Sequence, residues 1–247
     1  MKRIQTIISI SIFLFSMLHM ASAQQLSIDL SYQRNASFGT VNFFDPAKAD
    51  NKKIATMNYT DVVGSPFLHD EWSQAIVFLK SGKAMKFPKA RLNQYTGELH
   101  YLAGTSVEMA IEPDKIEKFV IFDAKDSTKP GNFYVSLPDH IDSKPFAFFK
   151  VFNNGAYQLI SLQKTLVKTS PYDPLEGKRI SSFFTKTYYA VYTNGRVIPM
   201  KSLDHAAVGE ALHVSDKDKV WLKQNKNKLR SEHDVVDFLE YFNNAQK

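Results

Sequence analysis

"VYTNGRV" (residues 191–197) sets an Asn-Gly pair between alternating β-formers, and "VFNNGAY" (151–157) writes nearly the same phrase forty positions earlier. Asn-Gly is favoured in two-residue β-hairpins because both central residues must adopt positive φ. Each copy follows an aromatic pair, Phe148-Phe149 and Tyr188-Tyr189. Aligning the copies pairs Phe148 with Tyr188, Val151 with Val191 and Phe152 with Tyr192. Duplication and two independent solutions to one hairpin problem both produce such a repeat, and the second reading is favoured because this composition is common. Two hairpins of this kind predict an antiparallel sheet.

Working outward, the same pattern recurs. "QAIVFLK" (74–80) meets Ser81-Gly82 and continues as "KAMKF"; "KARLNQY" meets Thr96-Gly97 and continues as "ELHYLA". "KFVIFD" (118–123) and "FYVSL" (133–137) flank the loop "AKDSTKPGN". Short runs rich in Val, Ile, Phe and Tyr between turn residues read as strands at hairpin spacing. Before them, "FGTVNFF" (38–44) is the one strand-like piece of a polar stretch. Around the first Asn-Gly pair, Phe146, Phe148 and Phe152 alternate with Phe149 and Val151, so both faces are apolar and the strand is covered on both sides. Tyr188 and Tyr192 occupy the matching places in the second copy. A phenol needs a partner or solvent, which places that copy nearer the surface.

After Pro199 the period changes from two to 3.6. Ser202 is read as the cap of a helix carrying Leu203, Ala207 and Ala211, and Ser215 as the cap of one carrying Val220 and Trp221. Ser231 with Asp234 resembles a capping box, and Val235, Phe238, Leu239 and Phe242 then fall on one stripe. None of the three is long enough to stand alone, so they dock on the sheet or each other. The expectation is a β-rich (α+β) fold: an antiparallel sheet over 24–200, as a sandwich or curved half-barrel, with three short helices over 201–247 packed on it.

The first 23 residues are read differently. Lys2-Arg3, the apolar run "IISISIFLFSML" and the small residues Ala21-Ser22-Ala23 form a secretory signal peptide with cleavage after Ala23. A periplasmic or extracellular protein of the cell envelope is expected. The chain has no cysteine, so no disulfide contributes and stability rests on an ordinary core; 44% hydrophobic and 13% aromatic residues supply one. The formal net charge of +6 includes Lys2 and Arg3 and by itself decides little.

"VVGSPFLHDEWSQAIVFLKSGKAMKFPKARLNQYTGELHYL" (62–102) resembles a group of uncharacterised exported proteins from Bacteroidota-type bacteria. The resemblance rests on Gly64-Ser65-Pro66-Phe67, Glu71-Trp72, Gly82-Lys83, Arg91-Leu92-Asn93, Tyr95 and Glu98-Leu99, and on the tail "WLKQNKNKLRSEHDVVDFLEYFNN". It implies export and no established activity, so no catalytic residue is carried over from it.

Chemistry-bearing motifs are sparse. The chain has no G-x-S-x-G and no S-x-x-K in a setting that suggests acyl transfer. His69-Asp70-Glu71 are consecutive, and consecutive residues rarely face one ion together; His205 and His213 are not at helix spacing for a shared metal. "DAKDSTKPGN" lacks the glycine and terminal Glu of a calcium loop. No metal or cofactor is expected. Between Lys217 and Arg230 six cations face Asp218 alone, an arrangement suited to an anionic lipid headgroup or glycan, or simply to a solvated helix face. No motif points to nucleic acid. The candidate binding residues are Trp72, Tyr188 and Tyr192, whose rings could stack on sugars, and Lys219, Lys223 and Lys226.

The sequence reading favours an exported, non-enzymatic binding or structural module. Its alternatives are a periplasmic carrier of a hydrophobic ligand or lipoprotein, and behind that an unrecognised hydrolase. They differ in what they require: a filled core for the first, an apolar cavity between sheet and helices for the carrier, and a polar cleft with convergent titratable groups for the hydrolase.

Overall fold

The computed structural model describes residues 42–43, 52–53, 59 and 61–245, except 105–106, 127–128, 130, 140, 142–144, 173–176, 178 and 226–227. The expected leader and Lys226 lie outside the described residues. The first strands are β1 (Asn42–Phe43), β2 (Lys52–Lys53), β3 (Val62–Val63), β4 (Ser73–Leu79), β5 (Ala84–Asn93), β6 (Glu98–Ala103) and β7 (Val107–Ile111). There follow β8 (Ile116–Ile121), β9 (Asn132–Leu137), β10 (Ala147–Val151), β11 (Gln158–Thr169), β12 (Ser181–Thr193) and β13 (Arg196–Met200). Helices α1 (His205–Leu212), α2 (Asp216–Gln224) and α3 (Glu232–Ala245) complete the chain.

Eleven strands form one open sheet in the order β13-β12-β11-β10-β9-β8-β4-β5-β6-β7-β2, every neighbouring pair antiparallel. β1 and β3 lie beside β5 and β12 in parallel. Local chemistry fits this order. The register between β4 and β5 slips between Ser73 and Ala75, opposite Pro88, which has no N–H to give a ladder. Pro199 sits in β13, at an edge where a missing donor costs least.

The two Asn-Gly stretches part company here. Asn194 (φ 48) and Gly195 (φ 75) make the tight turn between β12 and β13, pairing Thr193 with Arg196. In the first copy Val151 pairs with Ile160, so its loop is two residues longer than in the second, where Val191 pairs with Ile198. Gly155 alone takes positive φ there, and the Asn153 carboxamide spans the loop, accepting from Leu159 N and donating to Tyr157 O. A side chain has replaced the backbone turn, so the expected two-residue hairpin at 154–155 is corrected to a longer loop.

Both faces of β10 are buried, as its alternation predicts. Phe149 and Val151 pack with Phe133, Val135, Ile160 and Leu162 on one face. Phe148 on the other packs with Phe119, Tyr134, Phe87 and Leu99. The same face continues across β11 to β13, where Leu159, Val191 and Met200 are covered by the helices. Tyr192 is only 6% exposed and belongs to the other face, with Phe149 and Val151, against expectation; Tyr188 is half-buried.

The helices obey the apolar periodicity more closely than the expected caps. Asp204, not Ser202, caps α1: its Oδ1 accepts from Ala206 N and Ala207 N, while Ser202 donates to its Oδ2. Ser215 and Asp218 form a reciprocal capping box on α2. The expected Val220 is 53% exposed and Leu222 is the buried apolar residue of that helix. In α3 the four expected residues, Val235, Phe238, Leu239 and Phe242, are all buried.

The sheet is rolled. Five strand steps separate β5 from β11, about 24 Å in a flat sheet. Yet Thr165 N donates to Gln94 O at 3.2 Å, and Gln94 Nε2 to Gln163 Oε1 at 3.0 Å. A strap crosses the seam: β3 pairs with β12, Phe67 bridges to Asn93, and Tyr59, Tyr95 and Phe183 meet edge to face. Of the two expected shapes, this is the curved half-barrel.

Candidate functional site

Rolling opens a gap within the sheet. Among the described residues β10 and β11 pair only at Lys150 with Ser161 and Val151 with Ile160, while β11 runs on beside β12 to Thr169. Past Ser161 the two strands diverge, because β11 turns to meet the β5–β6 turn at Gln94. The divergence leaves a cavity of about 580 Å³, within the range of ligand pockets. Pro145, Phe146 and Phe148 line one side and Leu162 and Leu166 the other, with the turn 92–98 and Pro113 closing the end.

Its polar groups are held in place. Lys164 Nζ donates to Asp139 Oδ2 at 2.7 Å, with the carboxylate side chain fully buried and the lysine 10% exposed. Asp139 Oδ1 accepts from Ile141 N. Removing one member of such a buried pair leaves an uncompensated charge, a loss of about 3–5 kcal/mol. Gln94 and Gln163 are bonded to each other, and Thr165 Oγ1 bonds Gln94 Oε1. Glu98, Glu112 and Asp114 give the wall a negative bias. Ser161 and Lys164 have an S-x-x-K spacing, but three residues along a strand put the side chains on opposite faces.

The interface between sheet and helices, where a carrier needs its cavity, is packed: Val235, Phe238 and Leu239 are fully buried against Leu159 and Val191. The cavity is in the sheet instead.

A second titratable cluster lies on β5–β7. Arg91 donates to both oxygens of Glu108 at 3.0 Å, and His100 Nδ1 stands 2.6 Å from Glu108 Oε1. Burial raises the Glu108 carboxyl, but the hydrogen bonds from His100 and Arg91 and their charges outweigh it and hold it below its usual range. The Arg91 guanidinium is stacked on Phe67 and Trp72, at 3.6 and 4.2 Å from the ring centres. These contacts join the strap to the sheet and account for the cluster as a brace.

The sequence-derived candidates are therefore scattered. Trp72 lies partly buried under Arg91, Tyr188 lies beneath the Lys186 ammonium, and Tyr192 is in the core. Lys219 and Lys223 stand together on α2 along an open basic cleft. Asp139, Lys164, Gln94 and Gln163 were not singled out. The one trace they leave is Gln-Lys-Thr interrupting the apolar run of β11. Among the described residues no three His, Asp or Glu side chains could hold a metal, and no helix is long and apolar enough to cross a membrane. Comparison with protein-family models, curated proteins and solved structures yields no match to this chain.

Proposed function

We propose that this chain is an exported ligand-binding module that takes an amphipathic small molecule into the gap between β10 and β11. The observation that carries the reading is the 580 Å³ cavity itself, walled by Phe146, Phe148, Leu162 and Leu166 and carrying a fixed polar lining. An apolar body fits between the aromatic and leucine walls; a hydroxyl or amine at its end meets the glutamines and carboxylates. The lining groups are engaged with each other, Asp139 with Lys164 and Gln94 with Gln163, which suits recognition better than proton transfer. Export rests on Lys2-Arg3, the apolar run and Ala21-Ser22-Ala23. The pattern from Gly64 to Leu99 supports kinship with exported proteins of Bacteroidota-type bacteria.

The test is titration of the mature chain with an environment-sensitive apolar fluorophore. One saturable site per chain is expected. Leu166 lines the cavity yet is part-exposed, so Leu166→Trp fills the gap without rebuilding the core. That variant is expected to bind at least about tenfold more weakly with unchanged circular dichroism, a loss of about 1.4 kcal/mol. Equal binding by both proteins, or none by the wild type, overturns the reading.

A further inference from the structure

The basic run of the tail was ambiguous as sequence, because a solvated helix face has the same composition. The fold resolves where its side chains go. Lys219 and Lys223 from α2, Lys228 and Arg230 from the segment before α3, and His205 at the start of α1 line one open cleft of about 830 Å³ with Leu222 in its wall. Among the described residues the one carboxylate lining it is Asp204, and both its oxygens are already accepting hydrogen bonds, from Ser202, Ala206 and Ala207. Lys219 is paired with Asp216 at 2.8 Å, an exposed contact that water and salt screen. Lys223, Lys228 and Arg230 make no ion pair among the described residues. Placing Lys223 in the last turn of α2 complements the helix dipole, but that accounts for neither Lys228 nor Arg230.

The backbone between those two is unusual. Leu229 has φ 47, a region a branched non-glycine side chain rarely enters, and its side chain is buried in the helical core. Driving Leu229 inward in this conformation leaves its neighbours Lys228 and Arg230 in the wall of the cleft. Four formal positive charges from two segments thereby line one cleft, at an electrostatic cost that a neutral surface does not bear.

We propose that this cleft binds a linear polyanion, an acidic polysaccharide chain with a charge on successive units. Lys219 and Lys223 are one turn apart, about 6 Å along α2, and Lys228 and Arg230 enter from a second segment, so the charge is divided among four side chains and not gathered in a single fork. Several separate cations match repeated charges, whereas one isolated oxyanion is held best by a bidentate group. The cleft is open along its length, which leaves room for a chain to lie in it. The site is independent of the cavity in the sheet.

The experiment measures binding of the mature chain to polygalacturonate by calorimetry across a salt series. Lys223→Glu/Lys228→Glu is compared with Lys83→Glu/Lys89→Glu, which makes the same change in net charge at exposed positions on β5 and the turn before it. Binding that weakens with salt, and falls at least tenfold in the first variant but less than threefold in the second, is expected. Melting temperatures near the wild type in both establish that folding is not the cause. Equal losses in the two variants overturn the site in favour of diffuse charge. Phosphatidylglycerol vesicles that bind where the polymer does not overturn it in favour of a membrane. Inorganic phosphate competing at the same concentration of charge reduces it to a single-anion site and overturns the chain.

Discussion

Gly155 and Gly195 occupy matched places in two similar phrases, yet different forces hold them. At Gly195 the requirement is the backbone's: φ 75 in a two-residue turn, which a side chain enters at about 1–2 kcal/mol. At Gly155 φ is 123, and an added Cβ falls 2.4 Å from Asn243 Nδ2. Asn243, near the end of α3, accepts from Tyr157 N and donates to Tyr157 O, so this loop is clasped by a residue 86 positions away. Gly155→Ala is therefore expected to lower the denaturation midpoint more than Gly195→Ala, because it strains the backbone and expels Asn243 together. Equal midpoints would show that the clasp contributes nothing. The turn at 194–195 was legible because its cause is local. The loop at 152–157 was not, because Asn153, which spans it, has no periodic signature and Asn243, which clasps it, lies at the far end of the chain.

Among the elements, legibility follows length and periodicity. In α3 fourteen residues carry a clean stripe, and each of the four predicted residues is buried. α2 has nine residues and a mean composition too polar to define a face, so its sequence does not separate the exposed Val220 from the buried Leu222. Tyr192 was placed outward because its hydroxyl needs a partner or solvent. Its ring is nevertheless claimed by the core of β9 to β12, and burial raises its phenol above the usual range. Tyr189, one face over, donates to Glu232 Oε1 at 2.9 Å; burial first, then that carboxylate, pushes its hydroxyl up to about 12. The stripe of α3 supports a quantitative expectation. Phe238 is fully buried among Trp221, Tyr241 and Phe242, so Phe238→Ala is expected to cost about 3–5 kcal/mol through the cavity it leaves. Fluorophore binding in the sheet cavity is expected to persist in that variant under conditions where it remains folded. A loss below about 1 kcal/mol in urea unfolding would mean the helix packs loosely.

At the scale of the molecule, the sheet's class was readable in its hairpins but its curvature and cavity were not. Both depend on Gln94 meeting Gln163 and Thr165, a contact across about seventy residues with no periodic signature. The same rolling decides how the chain unfolds. Strands β9 and β10 contribute to the packing on both sheet faces, and β11 carries Ile160 and Leu162 into one core and Leu159 into the helical one. The strands and the helices share a core at Leu159, Val191 and Met200, although composition changes abruptly after Met200. Removing 201–247 strips the cover from Leu159, Val191 and Met200 and frees Tyr189 from Glu232. A contiguous apolar patch of that kind on a sheet favours association. The chain ending at residue 200 is therefore expected to aggregate or remain unfolded. The chain from Gln24 onward is expected to melt in one transition, with far-ultraviolet and near-ultraviolet dichroism coinciding. A soluble, cooperatively folded 24–200 fragment would show instead that the helices are an addition to a sheet that stands without them.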